Sequence, residues 1–144
     1  MSHTVDAIVL LYASDESSRF HETAVAFLRD LVEGPEIAYL FWPTVMAYLR
    51  IATHPTVFTS PLTSEDAVAN VSNLLGLPHI RTTGEQDRFW HLYLDASTAA
   101  GVRGNLVPDA HVVALMLENG VKTIWTHDRD YRRFDGIDVR DPFE

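Results

Sequence analysis

The sequence predicts an α/β domain: a central parallel sheet of about four to five short strands, with helices on both faces. Three observations carry that expectation. Short apolar runs alternate with amphipathic segments of ten or more residues, the pattern of βαβ units. No linker or low-complexity stretch interrupts the alternation, and 144 residues suit one domain, taken as 1–144. Hydrophobic residues make up 47% of the chain, enough for a contiguous core.

Each element has its own local reason. Thr4–Asp6 begins a strand, and Val9-Leu10-Leu11-Tyr12 either continues it or opens a first helical turn. Ser17-Ser18 offer caps for a helix over roughly Arg19–Val32, whose Ala24, Phe27, Leu28 and Leu31 fall at helical spacing. Gly34-Pro35 breaks it, and Ile37–Phe41 reads as a buried strand. A helix over about Thr44–Thr53 follows, closed by Pro55. Thr63 caps the next, with Asp66 three residues on and a face of Ala67, Val71, Leu74 and Leu75. His79–Arg81 is a candidate strand. Glu85–Ala100 reads as a helix ended by Gly101, and Asn105–Glu118 as another closed by Asn119-Gly120. Val121–Trp125 and Ile137–Val139 are the last strands.

Composition narrows the chemistry. The net charge of −9, from 11 basic and 20 acidic residues, opposes general phosphate attraction but suits carboxylates gathered around metal ions, or a basic protein partner. There are no cysteines, so neither disulfides nor thiolate metal sites are available. No stretch approaches the ~20 apolar residues of a membrane span, and Met1-Ser2-His3-Thr4 has no signal-peptide pattern, so a cytoplasmic protein without membrane contact is expected.

In parallel sheets, ligands bind beyond the carboxyl ends of the strands, so acids at that edge are the candidates. Asp6 ends the first strand, Asp109 opens a helix beside Pro108, and Asp128 and Asp130 follow the strand Val121–Trp125. Each has a plainer explanation: macrodipole stabilisation for Asp109, turn formation for Asp128 and Asp130. Asp6 interrupts an apolar stretch, where a carboxylate needs donors or a cation. Together they suit a hard cation, Mg²⁺ or Mn²⁺, which takes oxygen ligands and keeps waters. The seven histidines show no HExxH or paired spacing. His127 is read as a surface residue, the alternative being a group that supports a metal ligand from behind or relays a proton. Phe41, Trp42, Phe89, Trp90 and Tyr93 are core or interface candidates, the last three ringing much of one helix; a protein–protein contact, a homodimer or another partner's groove, would cover them.

These segments resemble a known family. Val5-Asp6-Ala7-Ile8-Val9-Leu10-Leu11-Tyr12-Ala13, Tyr48-Leu49-Arg50-Ile51-Ala52-Thr53-His54-Pro55, Arg103-Gly104-Asn105-Leu106-Val107-Pro108-Asp109-Ala110-His111 and Thr126-His127-Asp128-Arg129-Asp130-Tyr131 resemble, in order, motifs of the PIN-domain toxins of VapBC toxin–antitoxin pairs. The resemblance implies a three-layer PIN-like fold and a metal-dependent endoribonuclease that hydrolyses RNA phosphodiester bonds with metal-activated water. It implies Asp6, Asp109 and Asp128 as metal ligands and catalytic residues, Asp130 as an outer or weaker ligand, and Thr126 as a supporting hydroxyl. Asn105 orders the loop before Asp109 or, the favoured reading, caps that helix. Arg50, Arg129 and Arg132, with Arg133 beside them, are candidate RNA contacts. RNA is the implied substrate and a VapB-type antitoxin the implied partner. Two positions depart from the pattern: Ala47 stands where a Glu is usual, three residues before Arg50, and Ile8 where an Asn is usual. The alternative is therefore a catalytically impaired PIN domain that only binds its antitoxin. Phosphoacceptor and phosphatase folds of similar topology fit poorly, since Lys122 opens its strand and Ile8 replaces a second Asp.

Overall fold

The structure, a computed structural model covering residues 1–144, has five parallel strands in the order β3-β2-β1-β4-β5. In chain order these are β1 (Ser2–Val5), β2 (Ile37–Phe41), β3 (Ile80–Thr83), β4 (Thr123–Trp125) and β5 (Asp138–Arg140). Six α-helices connect them: α1 (Ala7–Ser14), α2 (His21–Glu33), α3 (Trp42–Ala52), α4 (Ser64–Leu75), α5 (Phe89–Ala100) and α6 (Val107–Glu118). Short 3₁₀ turns span Gly104–Leu106 and Arg129–Arg133. The expected architecture is the observed one, and no helix is long and apolar enough to cross a membrane.

Alternation along β2 divides the core. Ala38 and Leu40 join Leu10, Val45, Tyr48 and Val71 on one side of the sheet. Phe41 turns to the other, against Val113, Leu115, Met116 and Ile124. Helix α6 buries six residues, including Ala110 and Val113, because it lies between the sheet and α5. β1 is central and buried along His3, Thr4 and Val5. The polar Thr4 is tolerated there because its hydroxyl donates to the Tyr39 carbonyl at 2.8 Å.

Several boundaries differ from the sequence expectation, some through local turn chemistry and one through contacts distant in the chain. The run Val9–Tyr12 is helical: the strand stops at Val5 and Asp6 is the residue before α1. Helix α2 starts at His21, because Ser18 Oγ accepts from the Phe20 amide and holds Arg19 and Phe20 in a turn. Helix α5 starts at Phe89 rather than Glu85. The Glu118 carboxylate from α6 accepts from the Gln86 and Arg88 amides at 2.9 and 3.0 Å, and Glu85 pairs with His111. Thr63 does cap α4, accepting from the Asp66 amide. Gly101 and Gly120 take the left-handed conformation that ends α5 and α6 (φ 65° and 67°).

Asn105 does not cap α6. It lies exposed in the preceding 3₁₀ turn, the helix follows Leu106, and no side chain caps it. Pro108, with no amide to satisfy, sits in the first turn instead.

Candidate metal centre

The strand order reverses between β1 and β4, which run side by side while their onward connections leave in opposite directions. At such a point the connecting chains diverge and leave a crevice at the carboxyl ends of the strands. Asp6 follows β1 and Thr126 follows β4, so both stand at its mouth.

The backbone of Asp6 has the extended geometry of a helix N-cap (φ −74°, ψ 151°), but its side chain makes no capping hydrogen bond. It accepts instead from the Thr126 hydroxyl at 2.7 Å. Thr126 Oγ1 in turn accepts from the Asp128 amide at 2.9 Å, and Asp128 Oδ1 from the Asp130 amide at 2.9 Å. One buried hydroxyl therefore ties the loop after β4 to the end of β1. Thr126→Val removes this link and strands the Asp128 amide. We expect a loss of about 1–2 kcal/mol in stability and a ~10–100-fold loss in divalent-ion affinity, read by thermal denaturation and calorimetric titration.

Asp109 enters from the first turn of α6. Carboxylate oxygens of Asp109, Asp128 and Asp130 all lie within 4.8 Å of one another. Asp130, implied by the motif as an outer contributor, is thus inside the tightest group. Asp6 lies outside that group, bonded to Thr126, though it acts electrostatically on both Asp109 and Asp128.

Charge repulsion shapes this group. Burial, then Asp128 and Asp6, push the Asp109 carboxyl up from 3.8 to about 7, against a hydrogen bond from Tyr131. A carboxylate placed only to satisfy the α6 dipole would be stabilised in its charged form; Asp109 is destabilised. Asp6 is raised as well, chiefly by burial, with the Thr126 bond opposing. Tyr131, buried beside Asp109, is driven well above the usual tyrosine range by burial and by the three nearby acids. It is a site residue that the sequence did not mark, since it reads as the apolar close of the Thr-x-Asp-x-Asp motif.

No lysine, arginine or histidine forms an ion pair with Asp6, Asp109, Asp128 or Asp130; the chain's ion pairs all lie elsewhere. Four crowded carboxylates without a cationic side chain, offering only oxygen donors, fit a hard divalent ion. The histidines do not converge. His3, His91, His111 and His127 each pair with a different carboxylate.

Both departures from the motif pattern line the site. Ile8 and Ala47 border a cleft of about 370 Å³ together with Asp6, Tyr12, His127 and Asp128. Arg50 is exposed in the last turn of α3, outside this lining. Arg129, Arg132 and Arg133 are exposed on the 3₁₀ turn that carries Asp130, with Arg129 3.6 Å from Glu144. His127 differs from the surface residue expected. It is partly buried, donates through Nδ1 to Asp141 at 2.7 Å and packs against Phe20 and Phe143.

A PIN-domain model matches residues 4–137. The chain belongs to the PIN-domain family. Within it, the chain is 47% identical to Ribonuclease VapC48 of Mycobacterium tuberculosis over 143 residues, 99% of either protein. Among solved structures, it superimposes on VapBC2 from Rickettsia felis bound to a promoter DNA fragment, with a TM-score of 0.72 at 10% identity over 98% of each chain. It also superimposes on M. tuberculosis VapC20, a sarcin–ricin-loop-cleaving toxin, with a TM-score of 0.69 at 16% identity over 96% of this chain and 98% of that one. The PIN fold and its VapC-type branch are therefore those that the motifs implied.

Proposed function

We propose that this PIN domain is a divalent-metal-dependent endoribonuclease, the toxin of a VapBC-type pair. The observation that carries the reading is the group of carboxylates at the switch point, mutually repelling and without a cationic side chain. Kinship with a ribonuclease across the whole chain supports the reaction class. Asp109, Asp128 and Asp130 would hold Mg²⁺ or Mn²⁺ directly, with Asp6 as a further ligand. Such an ion supplies Lewis-acid polarisation of a phosphoryl oxygen and eases deprotonation of the attacking water.

The protein's own part is positional. Thr126 fixes the Asp6 carboxylate and the start of the Asp128 loop, and Tyr131 orients Asp109. Arg129 and Arg132, beside the acids, would draw RNA phosphates toward a centre that the net charge of −9 otherwise repels. Ala47 and Ile8 remove one carboxylate and one amide relative to the pattern, but three close acids already suffice for one ion whose other positions go to water and substrate. The geometry therefore favours an active enzyme over a pure binding module. Purified protein should cleave single-stranded RNA with Mn²⁺ and lose that activity in EDTA. Equal cleavage by an Asp128→Asn variant would point to a contaminant and sink the assignment.

For partners, we infer a basic antitoxin segment that meets the acidic centre, and a second copy of the chain. An apolar cleft of about 320 Å³ between α1–α4, lined by Leu10, Leu28, Val45 and Leu74 among others, suits an apolar peptide side chain. The dimer reading rests on α5, which buries no residue and leaves Trp90 63% and Leu94 43% exposed. Trp42 and Met46 of α3 and Val107 of α6 are exposed likewise. Trp90→Asp is expected to turn a dimer into a monomer in light scattering, with Mn²⁺ affinity unchanged.

A further inference from the structure

The cleft beside the acids has walls that metal binding does not explain. Asp6 and Asp128 belong to its lining. Ile8, Ala47 and Ile51 make an apolar side, and the rings of Tyr12 and His127 complete it. Its volume of about 370 Å³ falls in the range of small-ligand pockets. With Ala47 and Ile8 at their positions, this wall carries neither a third carboxylate nor an amide. Its aliphatic residues are uncharged and share one cleft with Asp6 and Asp128.

His127 is mounted rather than merely present. Its Nδ1 donates to Asp141, whose side chain is 7% exposed and which also accepts from the Phe143 amide at 2.8 Å. The ring packs 4.9 Å from Phe20 and edge-on to Phe143 at 5.6 Å, and Tyr12 packs against both phenylalanines. Helix α1, the turn before α2 and the C-terminal tail thus fix one orientation of the imidazole. Anchoring the tail accounts for the Nδ1 edge. It does not account for the opposite edge, since Nε2 has no protein partner while the residue borders the cleft.

We propose that this cleft is a nucleobase subsite, receiving the base next to the scissile phosphate, and that His127 reads the edge of that base. The idea rests on the nuclease reading. A nucleobase has apolar faces and a polar rim, and proteins hold unstacked RNA bases between side-chain faces while hydrogen-bonding that rim. Tyr12, Ile8 and Ile51 supply the faces, and His127 Nε2 supplies the hydrogen bond. The subsite touches the acids, so the base it holds belongs to a nucleotide adjoining the reacting phosphate. His127 is accordingly a specificity-determining residue, and the same contact sets the register of the cut.

The test is cleavage of a pool of short single-stranded RNAs, randomised around the cut, by the full chain with Mn²⁺. Calorimetric Mn²⁺ affinity is measured for every variant. The wild type should favour one base at one position adjoining the cut. His127→Phe keeps a ring in the aromatic mount and removes the polar edge. It should lower kcat/KM on the favoured base about tenfold, leave the disfavoured bases nearly unchanged and retain Mn²⁺ affinity. His127→Gln, which restores a hydrogen-bonding group, should recover part of the preference at that same position. A uniform drop across all sequences would overturn the proposal and make His127 a backbone contact or a tail anchor. So would a flat wild-type profile beside the cut. A wild type that cleaves no member of the pool would instead remove the nuclease reading, and the subsite with it.

Discussion

Asp109→Asn is expected to make the metal-free protein more stable while abolishing most of its RNA cleavage. The two effects share one cause. Asp109 is ionised at neutral pH only against burial and the charges of Asp128 and Asp6, which raise its carboxyl to about 7. Asparagine keeps the shape and an acceptor for Tyr131 but removes the charge. Because Asp109 is only partly buried, solvent screening leaves roughly 1–2 kcal/mol of the strain to be relieved, or about 3–6 °C in melting temperature for a chain of this size. Loss of an outer-sphere support typically costs 10–100-fold in metal affinity or activity, so loss of a ligand should cost at least ~100-fold in kcat/KM. Asp6→Asn should behave alike, since Asp6 is also raised by burial and Thr126 can still donate to the amide oxygen. Parallel melting curves and cleavage rates check both. A variant that is less stable and still active would mean that these carboxylates serve the fold.

The second large effect is a coupling between protons and metal. A folded-state carboxyl raised from 3.8 to about 7 means that the folded protein binds more protons than the unfolded chain in that interval. Asp109's contribution to the stability of the metal-free protein should therefore fall as pH rises from about 4 to about 7. An ion displaces the proton, so metal affinity runs the other way: strong above pH 7 and weakening as pH falls through it, by up to about tenfold per unit for one displaced proton. The stabilisation given by saturating Mn²⁺ should thus grow from pH 5.5 to pH 8, and binding should release protons. Asp109→Asn should flatten both dependences. Denaturation across pH, with and without Mn²⁺, measures the slopes, and calorimetry in buffers of different ionisation enthalpy counts the protons.

The elements legible in the sequence were those set by local chemistry. Thr63 announces its cap, Gly101 and Gly120 announce helix ends, and the βα alternation announces the sheet. What the sequence concealed depends on contacts between distant residues. The start of α5 is fixed by Glu118, thirty residues on from Arg88, and no pattern near Phe89 encodes it. The run Val9–Tyr12 is ambiguous because a continuous apolar stretch has neither strand nor helix period. The acids Asp6, Asp109, Asp128 and Asp130 could be singled out because carboxylates at the strand edge of an apolar core demand a reason. The nearness of Asp130, the bond from Tyr131 and the pairing of His127 with Asp141 could not, since each arises from how the loop after β4 folds back. Asn105 shows the opposite error: a residue with good capping chemistry stands one place too early, and a 3₁₀ turn takes it out of register.

Diffraction from crystals soaked in Mn²⁺, recorded with its anomalous signal, bears most directly on the central claim. A peak about 2.1–2.3 Å from oxygens of Asp109, Asp128 and Asp130 or Asp6, absent in Asp109→Asn crystals, is the outcome expected of a built metal centre. Full soaking with no peak among these carboxylates, or a peak held only by histidine pairs elsewhere, would contradict it.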